Sequence, residues 1–235
     1  NDGSETIKKR IENNVPNGLL GINIGPNKNT LNMIDDFLEC AEAFFPLGDY
    51  VTINISSPNT EGLRDFHKEE SLKELLLKIN DLRKKSNFKK SFLLKISPDL
   101  EKPSINKVID LSLQNNIDGL ILTNTTDRNR ENLLDTNKHE KGGLSGKPIE
   151  DLSTGVIRRF YSELKGRIPI IGVGGVDSGE SAFQKLSAGA SAIQLYTGMI
   201  YKGPTVVKEI KTELISIMKK KGIKTIKEIT GSNIS

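Results

Sequence analysis

Three groups of residues in this 235-residue chain stand where packing alone does not account for them. Lys95 interrupts the apolar run Ser91–Ile96 just before Ser97-Pro98-Asp99. A buried ammonium needs a carboxylate, a set of carbonyls or an anionic ligand. The plain alternative is a strand-end lysine that snorkels to water. Asn54 closes the apolar run Tyr50-Val51-Thr52-Ile53, and the chain then continues Ile55-Ser56-Ser57-Pro58-Asn59-Thr60-Glu61-Gly62. Turn chemistry accounts for Pro58, Asn59 and Gly62. An amide inside an apolar strand costs free energy unless it has partners, and on this stretch alone a structural and a ligand-binding role weigh equally. The third group is Gly172-Val173-Gly174-Gly175-Val176-Asp177-Ser178-Gly179, which runs from an apolar strand into a helix start. Glycines let backbone amides approach an anion, and a helix start adds positive potential. A tight turn needing positive φ is the alternative. The spacing is neither a dinucleotide fingerprint nor a P-loop. Gly142-Gly143-Leu144-Ser145-Gly146 is a second stretch of this kind, or equally a flexible linker.

Taken together, Asn23, Asn54, Lys95, Asn124, Ser145, Gly174 and Gly175 offer amides, hydroxyls and one ammonium, with no carboxylate pair. That set suits a polar planar ligand carrying a phosphate, and suits neither glycoside hydrolysis nor zinc chemistry. Flavin mononucleotide (FMN) fits, because its ring presents imide donors and acceptors and its tail a phosphate. The second ligand would be small and rich in amide or carboxylate groups. No metal site is expected: Cys40 is the single cysteine and lies in an amphipathic run, and His67 and His139 are isolated and read as surface residues.

The elements that must position these residues alternate. Apolar runs at 19–25, 50–54, 91–96, 119–124, 168–173 and 192–196 read as strands. Helical periodicity follows them at about 30–45, 69–82, 104–114, from Pro148, after Ser178, and at about 204–220. Continuous apolar strands alternating with helices indicate a parallel sheet covered by helices. Polar or Gly-rich residues end every strand, which favours a (β/α)8 barrel, where all those ends meet at one mouth, over a doubly wound sheet. Six strands fall short of eight, so about two are expected upstream of Asn1. Net charge is only +4 and lysines are scattered, which gives nucleic-acid binding no support.

The motifs Gly21-Ile22-Asn23-Ile24-Gly25, Asn54-Ile55-Ser56-Ser57-Pro58-Asn59-Thr60-Glu61-Gly62-Leu63, Leu94-Lys95-Ile96-Ser97-Pro98-Asp99, Thr123-Asn124-Thr125-Thr126, Gly142–Gly146 and Gln194-Leu195-Tyr196-Thr197 occur in one order along the chain. In that order the sequence resembles the dihydroorotate dehydrogenases of class 2, the membrane-associated, quinone-reducing class. Class 1 enzymes carry a Cys base in a Ser-Cys-Pro-Asn turn, where Ser57 stands here. The resemblance implies FMN-dependent oxidation of dihydroorotate to orotate in pyrimidine biosynthesis, with a quinone as acceptor. A class 1 soluble enzyme, or a non-catalytic flavin- or phosphate-binding barrel, are the alternatives.

Carried residue by residue, the resemblance makes Ser57 the base at C5 while hydride leaves C6, with Thr60 as its relay. It assigns Asn54, Asn59, Asn124 and Thr125 to the substrate. It assigns Asn23, Asn54, Lys95, Thr123, Ser145, Gly146, Gly174, Gly175, Leu195, Tyr196 and Thr197 to FMN. Lys95 would stabilise the reduced ring, and the loop from Asn59 to about His67 would act as a lid. Residues 1–235 would be the C-terminal major part of one FMN-binding barrel domain. The first two strands and an N-terminal helical domain for quinone and the membrane surface would lie outside it, and Asn1-Asp2-Gly3 resembles the tail of the family's Gly-Phe-Asn motif. The implied location is the mitochondrial inner membrane in a eukaryote, or the cytoplasmic membrane in a bacterium.

Overall fold

Six strands form one sheet in the order β1 (Gly21–Ile24), β2 (Tyr50–Asn54), β3 (Ser91–Ile96), β4 (Gly119–Leu122), β5 (Ile170–Val173) and β6 (Ala192–Gln194). All five pairings are parallel, so every C-terminal strand end lies at the same rim. The structure is a computed structural model and describes residues 2–87, 89–128 and 130–234. Each strand neighbours the one before it, and right-handed crossovers between such neighbours place all the helices on one face. A doubly wound sheet reverses its order midway; this one does not. The arrangement is the singly wound, curled sheet of a TIM-barrel-like α/β fold.

Residue parity within the strands divides the two faces. Ile22, Ile24, Val51, Ile53, Phe92, Leu94, Ile96, Leu120, Leu122 and Ile170 all belong to the main apolar core. The intervening residues point the other way, because side chains alternate along a strand. Those residues include Asn23, Thr52, Asn54, Leu93, Lys95 and Ile121. Register sets Asn23 beside Thr52, and Asn54 beside Lys95.

The core face is covered by α2 (Met33–Phe44), α3 (Glu69–Lys85), α4 (Lys102–Gln114), α5 (Glu150–Leu164) and α6 (Gly179–Ser187). In α2, Ile34, Phe37, Ala41 and Phe44 recur at helical spacing and are buried, while Asn32 accepts the Ile34 amide and caps the start. Phe37 meets Phe66 edge-on at 5.8 Å between ring centroids. The strands are shorter than the apolar runs that announce them: β1 starts at Gly21 and β5 at Ile170. Three helices lie outside the predicted set: α1 (Ser4–Asn13), α7 (Thr197–Lys202) and α9 (Ile226–Ile229). In α1 only Ile7 and Ile11, one turn apart, pack partly against the core, and α7 buries only Gly198, so the apolar signal in both is faint. The predicted C-terminal helix is α8 (Val206–Lys220).

Candidate active site

At the C-terminal rim of the sheet, β3, β4, β5 and β6 surround a cavity of about 270 Å3. Lys95, Thr123, Asn124 and Thr125 line one side, and Ser145, Gly146, Gly174, Gly175, Leu195, Tyr196 and Thr197 line the other. Eleven residues singled out from the sequence thus share one wall-to-wall space. A wider cleft of about 690 Å3 adjoins it along Ser145, Gly146, Gly175 and Thr197 and extends under the loop 130–148.

Lys95 is the one lysine lining that cavity. Its side chain is partly buried, and among the described residues it forms neither a hydrogen bond nor an ion pair. Burial pushes its pKa below the usual lysine value. The snorkelling alternative does not describe a cation that lines a rim cavity.

Asn54 has partners. Its Oδ1 accepts from Ser56 Oγ at 2.9 Å, from the Ser56 amide at 3.3 Å and from Asn124 Nδ2 at 3.2 Å. Asn124 Nδ2 also reaches Ser56 Oγ at 2.9 Å, and Asn124 Oδ1 accepts the Thr125 amide at 2.7 Å. The two asparagines are therefore locked across neighbouring loops by Ser56, and the Asn54 amide NH2 makes no bond among the described residues. The structural and ligand-binding readings of Asn54 describe two ends of one side chain.

The turn after β2 stands beside the cavity. Ser57 Oγ accepts the Asn59 amide at 3.2 Å, and no hydrogen bond joins Ser57 to Thr60. Asn59 lines a separate surface groove with Pro58 and Arg130. A Cβ on Gly143 would overlap Thr125 Oγ1 and come within 3.1 Å of Pro58 Cγ, so the glycine loop lies directly against both. Asn23 is exposed on the edge strand β1 and lies outside the cavity lining. Asn1 lies outside the described residues.

Two loops supply open backbone donors. Among the described residues, the amides of Gly174, Gly175, Tyr196 and Thr197 donate to no protein acceptor. Gly174 and Gly175 have φ of +121° and +76°, and a Cβ on Gly175 would sit 2.5 Å from Glu150 Cβ, so both the conformation and the close approach need glycine. Ser145 Oγ accepts from Thr197 Oγ1 at 2.9 Å, which ties the third loop to the other two. The helix start expected to help is already filled. In α6 the Ser178 and Ser181 side chains form a capping box, and Glu213 Oε2 takes the Gly179 amide at 2.6 Å. Donors for an anion therefore come from the 174–175 and 196–197 amides. Tyr196 offers its amide, since its side chain is 76% exposed.

Arg64, which no sequence pattern singles out, binds the rim together. It donates to the carbonyls of Thr125 at 3.2 Å and Ser56 at 3.4 Å, and lies 3.1 Å from both Asp99 Oδ2 and Asp127 Oδ1. Asp99 is nearly buried and accepts Thr126 Oγ1 at 2.6 Å. One guanidinium thus spans the loops after β2, β3 and β4. His67, expected at the surface, is 6% exposed. Its Nε2 accepts the Ser97 amide at 3.3 Å, so Nδ1 carries the proton and donates to the Arg64 carbonyl at 3.0 Å. Burial lowers its pKa to about 4. Leu63, Phe66 and His67 are all buried, so the second half of the expected lid is anchored in the core, and only residues 59–62 remain open to move. His139 is exposed as expected, and Cys40 packs half-buried against the core.

Parallel strands, one polar rim, a cavity with a single cation and a cradle of open amides define a TIM-barrel-like α/β protein. The family pattern described as dihydroorotate dehydrogenase matches residues 1–218, and the chain belongs to that family. It is 46% identical to the dihydroorotate dehydrogenase (quinone) of Idiomarina loihiensis over 91% of this chain and 66% of that protein. It is 44% identical to the mitochondrial dihydroorotate dehydrogenase (quinone) of Mus musculus over 90% of this chain and 54% of that protein. The ligand-free DHODH crystal structure from Eimeria tenella superposes with a TM-score of 0.92 at 33% identity, covering 98% of this chain and 71% of that one. Its ferulenol complex gives 0.89, with 66% of that chain covered. This chain thus spans about two thirds of its bacterial relatives and about half of the mouse protein.

Proposed function

We propose that this chain is the greater part of the FMN-binding barrel of a class 2 dihydroorotate dehydrogenase, which oxidises dihydroorotate to orotate and passes electrons to a quinone. Support comes above all from one juxtaposition: Lys95 faces a cavity whose far wall holds the free amides of Gly174, Gly175, Tyr196 and Thr197. A planar ring beside the ammonium with its phosphate in the amides satisfies both. The remaining strands of a (β/α)8 barrel and the quinone- and membrane-contacting helices would come from segments outside this chain. No helix among the described residues is long and apolar enough to cross a membrane. In a eukaryote the enzyme would reside at the mitochondrial inner membrane, and in a bacterium at the cytoplasmic membrane.

FMN, when bound, supplies the hydride acceptor. The chain's residues do the rest. Asn124 and Thr125, with the free NH2 of Asn54, hold the substrate ring by its amides and carboxylate, and Asn59 closes over it from the turn. Ser57 Oγ takes the C5 proton as its own hydroxyl proton is released, and the Asn59 amide, which donates to that oxygen, stabilises the negative charge that develops on it. Thr60, three residues on, forms no bond to Ser57, so the proton leaves through water or through a rearranged turn. Lys95 places its charge where the ring gains electrons, and Thr123 and Ser145 fix the ring's edge. Asn23, on the edge strand, contacts the cofactor only once the sheet is continued past β1. The Ser57 hydroxyl and the Lys95 cation together favour catalysis over a mere binding barrel. Anaerobic addition of dihydroorotate to the yellow protein should bleach the flavin, and a short-chain quinone should restore it faster than fumarate or NAD. No bleaching would leave a binding barrel; faster reoxidation by fumarate would return the protein to class 1.

A further inference from the structure

Lys185 is a buried cation that the site above does not use. It lies on α6 in the stripe of Ala182 and Leu186, with no exposed surface. Its Nζ is 3.0 Å from Thr154 Oγ1, 3.2 Å from Ser153 Oγ and 3.3 Å from the Glu150 carbonyl. Both hydroxyls spend their own protons elsewhere. Thr154 Oγ1 donates to the Glu150 carbonyl at 2.7 Å, and Ser153 Oγ to the Val173 carbonyl at 2.6 Å. All three partners of Nζ are therefore acceptors, and only an ammonium has three N–H bonds to give them. No carboxylate among the described residues pairs with it; Glu150 Oε2 is turned to Lys147 Nζ at 2.5 Å. A buried ammonium held by neutral acceptors alone is costly unless an anion lies near.

The residues around Lys185 are also the floor of the glycine loop. A Cβ on Gly174 would come within 2.9 Å of Ser153 Cβ, and one on Gly175 within 2.7 Å of Glu150 Cα. Ser153 also holds Val173, the residue before that loop. Lys185 thus sits one layer behind the open amides. The other nearby lysines are engaged: Lys147 by Glu150, and Lys202 by the Asp177 carbonyl at 2.8 Å.

We propose that Lys185 is a positioning residue for the cofactor phosphate: its ammonium holds Glu150, Ser153 and Thr154 beneath Gly174–Gly175 and supplies the counter-charge for a dianion in the cradle. This rests on the FMN reading above. It differs from direct phosphate binding, since the side chain acts through the loop and through its field.

Comparing FMN with riboflavin, which has the ring without the phosphate, separates the two ideas. Both are titrated into flavin-stripped protein by fluorescence at pH 7.5. Wild type should prefer FMN by roughly a hundredfold or more, as charge-assisted bonds to a phosphate require. In Lys185→Gln, which keeps donors and removes charge, that preference should fall about tenfold while the riboflavin Kd changes less than about threefold. An unchanged preference overturns the proposal. So does equal weakening of both flavins, which would make Lys185 a packing residue. Wild type binding neither flavin overturns the FMN reading itself.

If Lys185→Gln does not fold, the wild type decides. Burial pulls Lys185 down to about 8, with Glu150 and Asp151 opposing and Lys147 assisting. Glu150 raises the pKa of Lys147 above the usual lysine value, and a phosphate monoester is a dianion above about pH 6. The preference for FMN should therefore fall about tenfold between pH 7.5 and 9.5, as Lys185 must regain a proton to bind. A flat preference over that range overturns the proposal.

Discussion

Replacing Arg64 with Met tests whether the rim is held by one guanidinium. Methionine keeps much of the stem's volume and removes four polar contacts. The largest loss is at Asp99, whose side chain is 6% exposed. Stranding a buried charge costs ~3–5 kcal/mol in general. Arg64 is itself 25% exposed and Asp127 54% exposed, so water takes over part of the role and the expected loss falls to about 2–3 kcal/mol. For a chain of this size that lowers Tm by roughly 5–10 °C. Adding Asp99→Asn to Arg64→Met removes the stranded charge and should recover about 1 kcal/mol, the non-additivity expected of contacting residues. Thermal and urea unfolding of wild type, both single variants and the double variant complete the cycle. A loss below about 0.5 kcal/mol for Arg64→Met, or strictly additive singles, would refute the view that this ion pair ties the loops together.

His67 gives a pH test. Its folded pKa of about 4 lies below the unfolded value of 6.5, so its contribution is complete above pH 6.5 and is lost progressively as pH falls to 4. The full span is roughly 3 kcal/mol, and His67→Gln should flatten that part of the acid limb; an unchanged slope in urea unfolding would contradict the buried, neutral ring. Ser57→Ala should slow anaerobic flavin reduction by ~10²–10⁴-fold with flavin retained, whereas a rate within about twofold of wild type would leave Ser57 only its Asn59 turn bond. Lys95→Ala should lose flavin or slow its reduction by a similar order; full occupancy with unchanged kinetics in stopped flow would show the ammonium to be idle.

Strand order and the cavity wall were legible because their signals are local. Apolar runs ending in Asn, Lys or Gly name both the strand and the rim residue, and Lys95, Asn124, Gly174 and Gly175 meet at one cavity, with Ser145 from the second glycine stretch; the resemblance supplied the other six expected residues that line it. Arg64 and Lys185 were not legible in this way. Arg64 follows a turn and looks like any surface arginine until the β3 and β4 loops fold over it. Lys185 did leave a trace, a lysine on the same helical face as Ala182 and Leu186, yet its three acceptors lie more than thirty residues away in sequence. His67 misled because an isolated histidine is usually at the surface, and burial of its ring becomes tolerable once the Ser97 amide, supplied by another loop, joins the local Arg64 carbonyl as its second partner. The helix start at Gly179 was correctly placed, but its caps cannot be assigned to helix or ligand before Glu213 is brought in by α8.

The sequential strand order also bears on how the chain reaches its fold. Gly21 pairs with Tyr50 and Leu93 with Gly119, so most neighbours close over short stretches of chain, and the sheet can grow one unit at a time. The longest closure joins Leu120 to Ile170 and contains the loop that Arg130 gathers by donating to the carbonyls of Lys138, Glu140 and Gly142. Closing a loop of twice the length costs only about 0.6 kcal/mol more in chain entropy. The segment that brings Ser145 and Gly146 to the cavity can therefore lengthen or shorten at little cost to the sheet, so selection on what enters the site is free to act there.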